Sequence, residues 1–387
     1  MKLNRAGLVA GGLAALLALA ACSSSSKSGN TNSGSTTPST GSSSSSSSSS
    51  GSGSASAAGA PTCFSGTLNA AGSTAQANAV TQWINDYTKA CSSAKINYNP
   101  TGSGAGITSF TANQVNFAGS DAALDPTKGE PAAAAKACGS TALDLPMVVG
   151  PIAIVYKLNG VQNLTLTPEL IAKIFTGKIT TWNDPAIKAA NSSATLPSSK
   201  INVIFRSDSS GTTQNFETFL KATAPSVFSA KPAKDNAAQV FKGQGEAKSQ
   251  GVASAVASTE GSIAYDEYSY AVSGSLSTAL IDNGAGGVQV SKETASAAVA
   301  AAQIVGTGND LSLKLDYTTK AAGAYPLILV TYEIVCSKYK SAATGTAVKD
   351  FLSYTATGGQ ASLAGLGYAP LPAAIQTKVE ASIAAIS

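Results

Sequence analysis

The chain has 387 residues, 43% hydrophobic and only 12% charged, with 37 glycines and a formal net charge of +4. Its histidine count of zero excludes Ser-His-Asp and Cys-His nucleophilic catalysis and the commonest transition-metal sites. If Lys2 and Arg5 leave with an export signal the charge falls to +2, too little for a broad basic field, so nucleic acid is not expected as a partner.

Lys2 and Arg5 precede an apolar run from Ala6 to Ala21 that ends in Leu19-Ala20-Ala21-Cys22. At roughly 15 residues the run is too short for a comfortable membrane span. A cysteine directly after small residues is what diacylglyceryl transfer modifies, so the segment reads as the lipobox of an exported bacterial lipoprotein rather than an ordinary signal peptide or an anchor helix. Residues 1–21 are therefore expected to be removed, leaving lipidated Cys22 as the first residue and the chain attached to the outer face of the cytoplasmic membrane. Residues 22–61 are nearly all Ser, Gly, Thr and Ala, with unbroken serine from Ser42 to Ser50, and cannot bury enough apolar surface to order themselves. They read as a flexible tether; Thr36, Thr37, Pro38 and Thr40 would equally suit a glycosylated stalk, which the sequence leaves open.

Residues 62–387 are long enough for two domains. Four further cysteines, Cys63, Cys91, Cys138 and Cys336, suggest two disulfides in an exported chain. Three pairings are possible; Cys63 and Cys91 flank one strand-helix unit, which favours that pair and leaves Cys138 with Cys336.

Thr67 to Ala71 reads as a short strand, after which Gly72-Ser73-Thr74 turns into a helix with Val80, Trp83, Ile84 and Tyr87 on one face. Hydroxyls and free backbone N–H groups at such a helix start suit an anion. Ile96 to Tyr98 then alternates like a strand, Gly102-Ser103-Gly104-Ala105-Gly106 reads as a glycine-rich turn, and Ile107 to Phe110 begins a helix. Val115 to Ala118 reads as a third strand, running into Gly119-Ser120-Asp121. The clearest unit is Ile201 to Phe205, an alternating strand that delivers Arg206 into Ser207-Asp208-Ser209-Ser210-Gly211-Thr212-Thr213, followed by a helix with Phe216, Phe219 and Leu220 on its apolar face. Arg206 and Arg5 are the only arginines in the chain. A guanidinium, several hydroxyls and a fresh helix N-terminus within eight residues form a binding set for a tetrahedral oxyanion. Any one of these turns alone is ordinary capping; what points to a ligand is their recurrence at the carboxyl ends of strands, where open α/β sheets bind ligands.

Together with the run Val149 to Tyr156, Ile174 to Thr180 and Trp182-Asn183-Asp184-Pro185, these motifs resemble, in order, the phosphate-binding lipoprotein of the bacterial phosphate-specific ABC importer. The resemblance runs from about Thr67 to the region of Tyr332. It implies an α/β, two-lobe periplasmic-binding-protein fold of the type II, Venus-flytrap kind, with two hinge crossings: one lobe of residues 62–147 and 326–387, the other of 148–325. It further implies a monomeric binding protein, not an enzyme, that holds one inorganic phosphate without metal or cofactor and delivers it to a membrane permease and its ATPase. Carried over by position, the ligands look like Thr74, Ala75 through its backbone N–H, Ser103 and Asp121 from one lobe, and Arg206, Ser210, Gly211 and Thr212 from the other, with Asp208 orienting Arg206. Two positions depart from the family: Ala75 stands where many relatives carry an aromatic residue, and Ala264 replaces a usual glycine.

The chemistry supports the assignment on its own terms. Each hydrogen bond to a charged group contributes roughly 1.5 to 3 kcal/mol, so a shell of many donors can reach micromolar affinity or better without a basic patch. Asp121 beside an anion makes sense if the ligand keeps a proton: hydrogen phosphate can donate to the carboxylate, whereas sulfate meets it with lone pairs only. Two other classes remain in view. A phosphate-releasing enzyme would use Ser210 or Ser103 as nucleophile but finds no evident base other than Asp121, and a sulfate-binding protein differs mainly at Asp121.

Overall fold

In the computed structural model, which describes residues Ala60–Ser387, nine strands form one mixed sheet. The segments expected to be an export signal and a tether, with Cys22, lie up to residue 59 outside the described residues. The strands are β1 (Gly66–Gly72), β2 (Ala94–Pro100), β3 (Phe117–Ser120), β4 (Ala142–Lys157), β5 (Asn202–Arg206), β6 (Gln244–Glu246), β7 (Ser262–Glu267), β8 (Ser277–Thr278) and β9 (Ile328–Cys336). Their order across the sheet is β2-β1-β3-β9-β4-β7-β5-β6, with β8 paired to β4. β1 is parallel to β2 and β3, and β5 is parallel to β6 and β7. The helices used below are α1 (Ala77–Ala90), α2 (Ser103–Thr111), α3 (Glu130–Cys138), α4 (Pro168–Phe175), α5 (Gly211–Thr223), α6 (Lys248–Ser258), α7 (Tyr268–Gly274), α8 (Ala342–Ala356) and α9 (Ala373–Ala384).

One strand serves both halves of the sheet. β4 is buried along its whole length except Lys157, the mark of a strand covered on both faces. Its residues 142–151 pair antiparallel with β9, and residues 152–157 pair antiparallel with β7. Its two prolines cannot donate to a ladder and stand where the ladder breaks: Pro146 faces Tyr332 at a register shift next to Thr331, and Pro151 is the last residue held by β9 before β7 takes over.

Each half has its own aromatic centre. Phe64, Tyr87, Phe117, Phe351 and Tyr354 pack on the β1 side, and Phe175, Phe216, Phe241 and Tyr265 on the β5 side. Each also buries a tryptophan whose N–H finds a backbone carbonyl, Trp83 on Gly359 at 2.7 Å and Trp182 on Gly261 at 3.1 Å, which removes the cost of the buried donor. On α1 Val80, Trp83 and Tyr87 are buried and Ile84 is half-buried, as the i, i+3, i+4, i+7 spacing requires.

Both disulfides form as the strand-helix argument favours. Cys63 joins Cys91 with Cα atoms 5.2 Å apart, and Cys138 joins Cys336 at 5.4 Å, within the ordinary reach of the bond. The second clips the end of α3 to the end of β9 across 198 residues of chain.

Three boundaries depart from the sequence reading. The helix after Gly72-Ser73-Thr74 starts only at Ala77, because Ser73 Oγ first closes a turn by accepting from the N–H groups of Ala75 (3.0 Å) and Gln76 (3.4 Å). The segment read as a glycine-rich turn is itself helical from Ser103; its glycines serve close packing, since a Cβ on Gly106 would meet Gly72 Cα at 2.5 Å. The third strand is displaced two residues, to Phe117–Ser120: Asn116 turns its N–H to Asn69 O and its carbonyl to Tyr339, while Gly119 belongs to the strand, where a Cβ would meet the Gln76 amide at 2.2 Å.

Candidate functional site

The carboxyl ends of β1, β3, β5 and β7 and the N-termini of α2, α5 and α6 bring polar side chains into one hydrogen-bonded cluster. Thr74, Ala75, Ser103, Asp121, Arg206, Ser210 and Thr212 are each at most 3% exposed. Gly211 is also buried, and Asp208 is half-buried. Seven of these nine are polar or charged, and the interior tolerates them only because they bond to one another.

On the β5 side Arg206 ends its strand and is held by Asp208 in a two-pronged pair, Nε to Oδ1 at 2.7 Å and Nη2 to Oδ2 at 2.6 Å. Asp208 Oδ1 also accepts the N–H of Lys248 at 2.9 Å. Burial works against the Arg206 charge, but Asp208 outweighs it and holds the guanidinium pKa above its ordinary value; the same contact overcomes burial to hold Asp208 below the usual carboxylate range. Clamping two nitrogens leaves Nη1 to point elsewhere, toward Ser249 Oγ at 3.1 Å and Thr212 Oγ1 at 3.5 Å. Ser210 caps α5, its Oγ accepting from Thr213 N at 3.2 Å.

On the β1 side Asp121 follows β3 directly. Oδ1 accepts the hydroxyls of Ser73 and of Thr331 (2.7 Å), and Oδ2 that of Ser103 (2.9 Å). Burial, followed by the negative charge of Glu267, pushes its carboxyl up to about 6, against the pull of those three hydroxyls. Asp121 is thus ionised near neutral pH and rich in donors. The N–H of Ala75 is taken by Ser73 Oγ, and its carbonyl accepts Tyr368 OH at 2.6 Å.

The two sides touch. Gly211 N donates to Ser103 Oγ at 3.2 Å, Thr74 Oγ1 lies 2.7 Å from Ser249 Oγ, Gly104 N donates to Ser209 O at 3.2 Å, and Asn215 Nδ2 donates to Asp121 O at 2.6 Å. The structure therefore brings together all the residues named from the sequence. It gives Ser73, named above with its turn, a direct bond to Asp121, and adds Ser249, Thr331 and Glu267, the last accepting the hydroxyl of Thr212. Ser249 and Glu267 carry a legible signal, since each stands at a strand-to-helix junction of the kind already noted, at the head of α6 and the end of β7. Thr331 lies inside an apolar strand and carries none; the register shift beside it aims its hydroxyl at Asp121.

Residues 33–358 match the PBP superfamily domain. Phosphate-binding protein PstS 3 of Mycobacterium tuberculosis is 45% identical over 325 residues, covering 83% of this chain and 87% of the relative. Phosphate-binding protein PstS of Xylella fastidiosa is 34% identical over 305 residues, covering 78% and 80%. The chain belongs to the PstS family of phosphate-binding proteins. Among solved structures, this PstS-family chain is similar to a high-affinity periplasmic phosphate-binding protein, PfluDING, bound with phosphate: TM-score 0.65 and 22% identity, covering 82% of this chain and 93% of that one. It is similar also to a phosphate-binding protein from Stenotrophomonas maltophilia, with TM-score 0.63 and 21% identity, covering 82% and 94%. The fold is accordingly the two-lobe periplasmic-binding-protein fold that the resemblance implies.

Proposed function

We propose that the chain binds inorganic phosphate outside the cytoplasm and delivers it to an ABC permease and its ATPase. The observation that carries this reading is a single buried cluster in which hydroxyl and helix N-terminal donors from both halves of the sheet converge with one clamped guanidinium and one carboxylate. Such a donor shell neutralises a tetrahedral oxyanion on all sides, and the carboxylate demands that the ligand keep an O–H. Thr74, the N–H of Ala75, Ser103 and Asp121 would hold the anion from one lobe, and Arg206, Ser210, Gly211 and Thr212 from the other, with Asp208 orienting Arg206. No step of bond breaking is assigned to the site.

The lobes are taken as residues 62–147 with 326–387, and 148–325. The handover of β4 from β9 to β7 between Pro151 and Ile152 supports a crossing there, and Leu327 O, which accepts from Ile152 N at 3.0 Å, lies at the return crossing. Attachment through a lipid on Cys22, export after removal of residues 1–21, a serine-rich tether over 22–61 and action as a monomer complete the proposal. Among the described residues no helix is long and apolar enough to cross a membrane.

Calorimetric titration of the purified full chain in detergent, stripped of bound anion, tests the reading. Phosphate is expected to bind one to one with micromolar affinity or better near neutral pH, with little response to sulfate. Silence toward phosphate, or equal affinity for sulfate, would reject it.

A further inference from the structure

Directly behind Thr212, β7 ends in two adjacent acidic residues, Asp266 and Glu267, that are 1% and 0% exposed. Asp266 Oδ1 accepts the N–H of Glu267 at 3.0 Å, and Glu267 Oε1 accepts the hydroxyl of Thr212. That leaves one oxygen on each, Asp266 Oδ2 and Glu267 Oε2, buried and without an N–H or hydroxyl donor. Two neighbouring carboxylates, both ionised and each with a bare oxygen in a dry interior, cost far more than the fold can absorb. The two side chains are in hydrogen-bonding contact, so a single proton held between the two carboxyls relieves that cost, as in other close carboxyl pairs.

Resting on the phosphate reading, we infer that Asp266 and Glu267 share one proton and that Glu267 is a positioning residue selecting the more protonated form of the anion. Glu267 keeps the one hydroxyl hydrogen of Thr212, so Thr212 Oγ meets the ligand as an acceptor. The pair's one negative charge adds to that of Asp121 on the same ligand. A monoanion carrying two O–H groups then fits better than a dianion carrying one or none.

The surroundings agree. Burial, the charge of Glu267 and the hydrogen bond to it hold the Asp266 carboxyl well above its ordinary range, which places the shared proton on Asp266. Groups facing Glu267 from the neighbouring elements are Thr212 at the head of α5, Arg206 from β5, Asp121 after β3, Tyr270 from α7 and Tyr368 near the C-terminus. Both tyrosine hydroxyls are given to backbone carbonyls, those of Thr74 and Ala75, so neither neutralises Glu267. Arg206 is the one cation of the set, and it is already paired with Asp208.

The test compares wild type, Glu267→Gln and Asp266→Asn, all full chain stripped of anion, by calorimetric titration with phosphate and with sulfate between about pH 6.5 and 8.5, where phosphate passes from mainly monoanion to mainly dianion. Wild-type phosphate affinity is expected to fall about tenfold or more as pH rises. Glu267→Gln is expected to flatten that profile and to tighten sulfate binding by about tenfold, the factor carried by one pKa unit of coupling. An infrared difference spectrum at about pH 8 is expected to show a protonated-carboxyl band in wild type that Asp266→Asn removes. A pH-independent wild-type affinity together with an unchanged phosphate-to-sulfate ratio in Glu267→Gln overturns the inference, as does the absence of that difference band. If Glu267→Gln does not fold, the wild-type profile and the band still decide. Failure of wild type to bind phosphate at any pH would instead refute the proposed function itself.

Discussion

Asp121 is the side chain on which discrimination turns, because it is the carboxylate in a shell made mainly of donors. It takes three hydroxyl hydrogens from Ser73, Ser103 and Thr331. Asp121→Asn puts an N–H₂ against at least one of those hydroxyls and removes the acceptor-only oxygen a ligand O–H would meet, a mismatch of about 1–3 kcal/mol. Phosphate affinity is expected to fall and the phosphate-to-sulfate ratio to drop by at least about tenfold, read by competition titration; an unaltered ratio would remove Asp121 from the recognition mechanism. Much of this scale was legible beforehand. Arg206 stands out because arginine is so rare in the chain, and Asp121 because it is the first charged group in the series of strand-to-helix turns. Glu267 and Ser249 were legible only in kind, and Thr331 not at all, because a threonine inside an apolar strand looks like any β-branched core residue. At position 75 the backbone is fixed from both sides, its carbonyl by Tyr368 and its N–H by Ser73.

At the scale of elements, three glycines from three separate motifs meet. A Cβ on Gly72 would lie 2.1 Å from Gly119 O, and one on Gly106 would lie 2.5 Å from Gly72 Cα and 2.9 Å from Ala71 O. Gly72 also has φ +138°, which side chains rarely tolerate. This contact lets the head of α2 sit against the ends of β1 and β3, and so places Ser103 beside Asp121. In an isolated helix Gly106→Ala would gain up to about 1 kcal/mol. Here the new methyl meets backbone that cannot move aside, so the packing cost, on the order of 1–3 kcal/mol, wins. Chemical denaturation is expected to show net destabilisation, and titration a weaker phosphate affinity; a stabilised variant would mean the strand ends are freer than the packing indicates. The sequence showed that these glycines matter but misread how. Gly-Ser-Gly-Ala-Gly reads as a turn because glycine usually marks one, whereas only the approach of β1 reveals that a helix start with small residues is needed.

For the whole molecule, several buried acids are held above their ordinary range. Asp121 is pushed up to about 6 by burial and by Glu267, Asp144 to about 7 by burial and by Asp310, Glu217 to about 7 mainly by burial, and Glu333 to about 8 by burial together with the charge of Asp121. In each case the folded chain holds its proton more tightly than the unfolded chain, whose carboxyls titrate near about 4. Stability from these groups is greatest below that value and is lost as pH climbs through the folded values toward about 8. The opposite contribution of Asp208, whose pKa is lowered, is already complete above about pH 4. With phosphate absent, Tm is expected to fall as pH is raised from about 5 to about 8, followed by scanning calorimetry; a flat or rising Tm would show that these carboxyls find partners in the fold.

Composition, the strand-to-helix turns, the rare arginine and the four cysteines by themselves pointed to an exported α/β chain with oxyanion chemistry, and the family resemblance those motifs carry implied the two-lobe fold and the set of ligand positions. Those signals are local: capping hydroxyls, periodic apolar faces and a cysteine pair flanking one unit are written within a few residues of each other. Only the tertiary structure decided which strand is shared by the two halves, why Gly119 lies in a strand, and that Thr331 and the Asp266–Glu267 pair stand beside the site. These depend on close approach between segments up to 210 residues apart, and steric fit at that range leaves no pattern along the chain.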